Sequence, residues 1–473
     1  LMLAEYRQAF EKSLLLLDVG YSTGYKNTSN KKTAGSKSHF FSQFSMNLKE
    51  NENEFSNLNF DIQQVSGNKY LKRFDINSML ASESFDVLEN NVTFDYQKED
   101  LSVVAELSAF ENLTVNGNEK YEYQLPFLTL EKNILNNQKY GFADLSSKVQ
   151  AKNINTNQHE NFFVNDINWS SNKWISEIGI ENQFRGIFKT VNYETENTDG
   201  KFKDKEDVFQ ASGAIGYLAK TIFYKNNENK NHQLEPKLLM RYAPGHMRNL
   251  AKKDGRLRYS NLFNMSKFNH IDVLENGLST SYGFEYKYNT LSNKQKVEEN
   301  IFSFSAGQAV NSKKNLDLPK QSSMKDIFSD IVGRSSFNIN KDTQLTHKFS
   351  IDKNINELSS NEISLDQVYG KTKFNISYLE ERNHIGDRHV ADASIEYDIN
   401  SKNQLVFNTT RNLLKNSSDY YDLSYNYIND CLKAGLVYRR QFYSDKDTDA
   451  EDSLLFKVTL IPLGQIKSPS LGQ

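Results

Sequence analysis

The sequence predicts an all-β fold, a large antiparallel transmembrane β-barrel of about 20 or more strands. Three observations predict it. Apolar residues recur with a period of two in many segments. Aromatic side chains are abundant in a chain that is otherwise polar. No apolar run is long enough for a helix to cross a bilayer, so a membrane reading has to rest on strands.

The period-two pattern places alternate residues on opposite faces of a strand. In 391–399 one face carries Ala391, Ala393, Ile395, Tyr397 and Ile399, and the other Asp392, Ser394, Glu396 and Asp398. In 421–427 Tyr421, Leu423, Tyr425 and Tyr427 oppose Asp422, Ser424 and Asn426. Val92, Phe94 and Tyr96 oppose Thr93, Asp95 and Gln97, while Phe374, Ile376 and Tyr378 oppose Lys373, Asn375 and Ser377. Near the end, Leu454, Phe456, Val458 and Leu460 share a face. Polar stretches such as 226–231 and 193–207 read as loops or as strand extensions outside a membrane. At roughly 20–25 residues per strand and connection, the length holds about 20 strands.

Only 37% of the 473 residues are hydrophobic, yet 12% are aromatic, with 31 Phe and 25 Tyr against 2 Trp. Disordered chains lack aromatics. A membrane barrel needs apolar residues at alternate positions only, keeps its lumen polar and collects aromatics at the two interfaces. Trp169 and Trp174, with Ile178 and Ile180 nearby, read as such an interface anchor. The longest leucine run, Leu14 to Leu17, is closed at once by Asp18. Alternation by itself leaves open a soluble all-β protein, such as a propeller or a set of sandwiches. Only 22 Gly and 6 Pro punctuate so many turns, and no propeller-like repeat of ~40–50 residues is seen.

Basic and acidic residues number 57 and 60, interspersed to a net charge of −3, so no basic stripe offers a nucleic-acid surface. Enzymatic signatures are also wanting. There is no Gly-x-Ser-x-Gly elbow, P-loop or His-Glu-x-x-His motif. His384, Asp387 and His389 form the one tight cluster of histidine and acid. On a strand the two histidines would face opposite ways, which spoils a shared metal site, and the cluster reads as a solvated loop between Glu381 and Val390. The chain is therefore expected to be no enzyme and to need no cofactor or metal. Leu1 to Arg7 lacks the basic start of a signal peptide, so the mature form begins here or an upstream part is missing.

Specific strings resemble the outer-membrane lipopolysaccharide-assembly family LptD, also called OstA or Imp. Ile62-Gln63-Gln64-Val65-Ser66, followed by Tyr70-Leu71-Lys72-Arg73-Phe74-Asp75, is similar to an early barrel strand of that family. Leu234-Glu235-Pro236-Lys237 and Tyr242-Ala243-Pro244 resemble a mid-barrel strand. Asn261-Leu262-Phe263, Phe268, Asp272, Glu275-Asn276-Gly277 and Tyr282-Gly283 follow in the family's order. So do Phe304 to Gln308 and Ser329 to Gly333. Tyr425, Tyr427, Asp430-Cys431 and Leu460 to Gly464 resemble its C-terminal segment. The shared order runs from about Glu5 to Gly464, nearly the whole chain.

The resemblance implies a component of the cell outer membrane that assembles lipopolysaccharide into the outer leaflet, the lipid leaving sideways between first and last strands. It implies as partners lipopolysaccharide, the surrounding outer-membrane lipids, an LptE-like lipoprotein plug in the lumen, and a periplasmic Lpt bridge reached through a jelly roll. Residues 1–473 are expected to be a barrel domain truncated at its N-terminus, with the jelly roll and the first strands upstream of Leu1; such a fragment should not transport alone. Cys431 falls where the family places a cysteine bonded to the jelly roll. It is read either as half of that interdomain disulfide or as an incidental reduced thiol. By the same analogy 454–461 is the last strand, with Leu460 and Pro462 at its terminus on the seam; Pro462 ends the ladder because it has no N–H to donate. The residues alone leave other readings open, a porin- or receptor-type barrel for small solutes and a soluble extracellular adhesin among them.

Overall fold

The computed structural model describes residues 2–467 apart from 24–35, 52, 75, 77, 83–84, 155–157, 197–204, 228–229, 254, 292–297, 415–416, 429–431, 442–451 and 461–463. β1 (Met2–Ala9), β2 (Ser13–Ser22), β3 (Lys37–Asn51) and β4 (Glu54–Val65) lead to a one-turn helix, α1 (Tyr70–Arg73). β5 (Val87–Lys98), β6 (Leu101–Asn112), β7 (Tyr121–Asn137), β8 (Gly141–Ile154) and β9 (Gln158–Ser170) follow. Next come β10 (Trp174–Ile175), β11 (Glu181–Glu196), β12 (Lys205–Lys220), β13 (Phe223–Asn227), β14 (Lys230–Ala243) and the short α2 (Tyr259–Leu262). β15 (Gly277–Leu291), β16 (Glu298–Asn311), β17 (Ile331–Asn340), β18 (Thr343–Ile351), β19 (Leu358–Tyr369) and β20 (Thr372–Glu381) continue the wall. β21 (Arg388–Asn400), β22 (Asn403–Asn412), β23 (Ser417–Ile428), β24 (Leu432–Gln441), β25 (Asp452–Leu460) and β26 (Gly464–Lys467) complete it.

These strands form one 26-stranded antiparallel sheet. Each pairs with the next, except that β10 hangs on β11, which pairs directly with β9, and that β13 continues the line of β12 along β14. β1 and β26 run side by side, which closes the sheet into a barrel; no ladder joins them among the described residues.

The alternation read from the sequence reappears as rows across strands. Phe374 faces Ile395, then Phe407, Leu423 and Tyr438 in unbroken register. Such aromatic and branched cross-strand pairs stabilise a sheet by ~0.2–1 kcal/mol each. Tyr397, Tyr425, Leu423 and Tyr438 are exposed, as an apolar face turned outward should be. The opposite face carries Asp392, bonded by Ser377 and Thr410, and Glu396, paired with Lys373.

Connections alternate between a short-turn end and a long-loop end. The short end holds two-residue turns such as 341–342 and 370–371, the latter with Gly370 at a φ of 58° that suits a tight hairpin. The long end carries 66–86, 244–276 and 312–330. The two polar stretches read as loops or strand extensions are in large part strand. Tyr193 to Glu196 still belong to β11 and Lys205 to Asp207 to β12, while Asn226 and Asn231 face each other in a hairpin. Likewise β21 starts at Arg388, so His389 is on a strand.

The long segments fold into the barrel, and that is where the buried core sits. Met247, Leu250, Leu257, Leu262 and Val273 of 244–276 pack with Leu318 and Met324 of 312–330 against Ala309 and Val332 of the wall. A second cluster joins Tyr70, Leu71, Ile76 and Ala81 of 66–86 to Phe41 and Leu88.

Candidate functional site

Segment 244–276 is a strap across the lumen, and the wall beneath it is built to receive it. On β11, Ile187, Lys189, Val191 and Tyr193 turn inward and are buried, while Phe184 and Phe188 turn outward and are exposed. Opposite them Ala214, Leu239, Arg241 and Ala243 are buried, whereas Ile215, Met240 and Tyr242 are exposed. Gly216 and Gly307 lie where the strap presses closest. A Cβ on Gly216 would stand 2.6 Å from Met265 Sδ, and one on Gly307 2.5 Å from Leu262 Cδ2.

Charges fasten the strap. Lys189 Nζ binds Asp166 at 2.8 Å on the neighbouring strand and donates to the carbonyl of Ile271 at 2.8 Å. Arg241 donates to the carbonyls of Met265 and Glu275 and lies 3.7 Å from the Glu275 carboxylate. Asp272 takes Lys253 at 3.1 Å and Arg248 at 3.4 Å, and Arg248 also stacks 4.7 Å over the ring of Tyr193. At the far wall Arg256 forms a two-pronged pair with Glu381, whose Oε2 is 3.2 Å from Nη2; Glu381 is 1% exposed. Replacing these partners singly leaves a buried charge uncompensated, which is why such pairs hold a segment in one place.

Lys267 is the exception inside the strap. It is buried, and its amine makes no hydrogen bond among the described residues. Burial, aided by the nearby Arg241 cation, pushes its pKa down to about 8 against the pull of Glu275. Burial likewise lowers His270, with Lys253 adding to it.

Segment 66–86 is held differently. Asp18, His39 and Tyr70 are all buried, with His39 Nε2 3.1 Å from Asp18 and Nδ1 3.1 Å from the Tyr70 hydroxyl. Burial first, then the Asp18 charge, pushes Tyr70 up to about 12, so its hydroxyl keeps its proton. Gly20 makes room, since a Cβ there would lie 2.4 Å from the imidazole.

Under the strap, between 256–260 and strands β15 to β21, a chamber of about 750 Å³ remains. Arg256, Arg258, Arg334, Lys348 and Arg388 line it with Glu285, Glu362 and Glu381. Burial pushes the Tyr259 phenol at its edge up to about 12.

The residues singled out in the sequence fall elsewhere. Leu460 ends β25, paired with Leu432 on one side and Gly464 on the other, so one further short strand follows it. Pro462 and Cys431 lie outside the described residues. His384 and His389 part company: His384 Nε2 is 3.0 Å from Asp330, and His389 is bonded to Tyr378. Trp169 and Trp174 share the outer face at the short-turn rim; Trp169 donates to the Tyr140 carbonyl and Trp174 packs on Phe184 and Tyr217. The strap's fastenings were missed as such. Asp272 and Glu275 stood in the family-like strings, but nothing in sequence joins them to Lys253 or Arg241.

The fold and this lumen define a class: an antiparallel barrel of the outer-membrane type, part-filled by its own long loops. Within it, the chain belongs to the LptD family, described as LPS transport system D, which matches residues 37–402. Similar solved structures include a triple mutant of the Rhodopseudomonas blastica porin, 11% identical with a TM-score of 0.22, over 62% of this chain and 98% of the porin. Another, described by the asymmetric conductivity of engineered proteins, is 12% identical with a TM-score of 0.24, over 61% of this chain and 97% of its own. Likeness at that level carries no argument here. No curated protein matches.

Proposed function

We propose that residues 1–473 belong to the barrel of an outer-membrane translocon that places lipopolysaccharide in the outer leaflet, the lipid leaving sideways between the first and last strands of the full-length barrel. The observation that carries this is membership of an LPS transport family over most of a barrel whose lumen is polar and charged. A polar lumen solvates the saccharide head while the acyl tails remain in lipid. A lateral exit needs a seam with few ladder bonds, because every unpaired strand edge in hydrocarbon is costly.

In this reading the short turns face the periplasm and the long loops the exterior. Trp169 and Trp174 then sit at the periplasmic interface. An LptE-like lipoprotein would fill lumen space that the strap leaves, the Lpt bridge would deliver from the periplasmic side, and Cys431 would be half of a disulfide to an upstream jelly roll. A passive pore for small solutes is less favoured, because 244–276 and 312–330 occupy the lumen.

The test is co-purification of the full-length parent in detergent with a lipoprotein, beside depletion of the parent while surface lipopolysaccharide is scored. Co-purification and loss of surface lipopolysaccharide are expected. No partner and unchanged lipopolysaccharide would leave a barrel of other cargo.

A further inference from the structure

The chamber under the strap has an unbalanced wall. Arg334 on β17 and Lys348 on β18 are direct cross-strand neighbours in the pairing register. Like charges so placed repel and destabilise a sheet. Lys348 is relieved by Glu362, 2.5 Å away on β19. Glu381 is taken by Arg256, and Glu285 by Lys237 at 3.0 Å and Lys287 at 2.9 Å. Every carboxylate lining the chamber thus has a cation, while Arg258, Arg334 and Arg388 have no ion pair among the described residues. Tyr259 and Asn300 also line the chamber, and the Tyr259 hydroxyl and Asn300 Oδ1 make no hydrogen bond among the described residues.

We propose that this chamber is a binding site for an acidic saccharide. Arg334, Arg388 and Arg258 hold its phosphate or carboxylate groups, and Tyr259 and Asn300 bond its hydroxyls. Guanidinium is the side chain suited to planar, two-pronged recognition of such anions. The volume of about 750 Å³ lies within the range of small-molecule sites, roughly 300–1,000 Å³. Hydroxyls of Ser303, Ser336 and Ser360 add the donors and acceptors that a sugar ring requires. The site rests on the proposed lipopolysaccharide reading for its natural ligand, but not for its chemistry.

The experiment titrates the full-length parent, in detergent with any lipoprotein it retains, with deacylated lipopolysaccharide, the same oligosaccharide after dephosphorylation, and inorganic phosphate. The phosphorylated oligosaccharide should bind at least tenfold more tightly than the dephosphorylated one. The double variant Arg334→Gln/Arg388→Gln should remove most of that difference, and Lys373→Gln, elsewhere on the lumen wall, should leave it intact. Inorganic phosphate should bind more weakly than the oligosaccharide; equal binding would reduce the site to an anion site without saccharide selectivity and overturn the proposal. Equal affinity for the two oligosaccharides by the unsubstituted protein overturns it without any variant. Loss of the site with surface lipopolysaccharide still dependent on the parent would sink this inference alone. An arginine-dependent site in a parent whose depletion spares lipopolysaccharide would sink the transport reading alone.

Discussion

β11 and β21 are both long wall strands whose side chains alternate between lumen and exterior, yet they meet different surroundings. On β21 the lumen side is polar, with Asp392, Ser394 and Glu396, and no residue of the strand is buried. On β11 the lumen side is buried at Ile187, Lys189, Val191 and Tyr193 because the strap lies on it. One half of the barrel is therefore a wall against water, and the other is a wall against protein. Stability on the second side depends on contacts between distant segments, and an ion pair there should weigh far more than its twin on the open side.

The largest effect expected is at the strap's far end. Arg256→Met leaves Glu381 buried and uncompensated, which should cost about 3–5 kcal/mol. Amide exchange through 250–262 should then rise by two orders of magnitude or more, since each ~1.4 kcal/mol is tenfold. Arg256→Met combined with Glu381→Leu should recover most of the protection, because an apolar pair can replace a buried ion pair. If the single variant leaves exchange unchanged, the pair does not hold the strap.

Next is Lys267, whose burial works against the strap. In the docked strap its amine titrates at about 8, against the ordinary 10.5. Between those values the undocked strap binds more protons than the docked one, so docking strengthens as pH rises through 8 to 10.5 and weakens as pH falls. At pH 7 the penalty is complete, on the order of 3 kcal/mol. Lys267→Met should therefore tighten the strap at pH 7 and flatten its pH dependence across that window, read as amide exchange corrected for the intrinsic rate.

A smaller cost falls on the glycines that let the strap close. Gly307→Ala should cost about 1–3 kcal/mol, because its Cβ meets both Leu262 and, at 2.7 Å, the Tyr282 carbonyl of the adjacent strand. Gly216→Ala should cost less, since the flexible end of Met265 can move away. Equal exchange rates in the two variants would show that neither contact limits docking.

The two halves also differ in how far their sequence could be read. At Phe374, Ile395 and Leu423 one side meets the exterior and the other an aqueous lumen, so polarity alternates cleanly and the strands are legible. In β11 apolar residues stand on both faces, Phe184 and Phe188 outward and Ile187 and Val191 inward, and the pattern blurs. Tyr193 to Glu196 consequently read as either loop or strand extension. The strap itself has no period. Its conformation follows from partners such as Glu381, 125 residues from Arg256, which no local pattern announces. The strand ending at Leu460 was legible too, but β26 was not, because four residues from Gly464 carry too short a pattern.

The smallest effect closes the comparison on the open side. Lys373 and Glu396 form the same kind of cross-strand pair as Lys189 and Asp166, at 3.2 Å, but with side chains 56% and 38% exposed. Solvent screens such a pair, and holding two long side chains in one geometry offsets much of its attraction. Lys373→Met should therefore change stability by less than about 1 kcal/mol, and the change should shrink further in high salt. Lys189→Met, by contrast, removes a buried cation from Asp166 and from the Ile271 carbonyl together, and should loosen the strap measurably at any salt. Urea unfolding of the two variants at low and high sodium chloride separates the cases, and a salt-sensitive Lys189→Met with a costly Lys373→Met would reverse the assignment of the two sides.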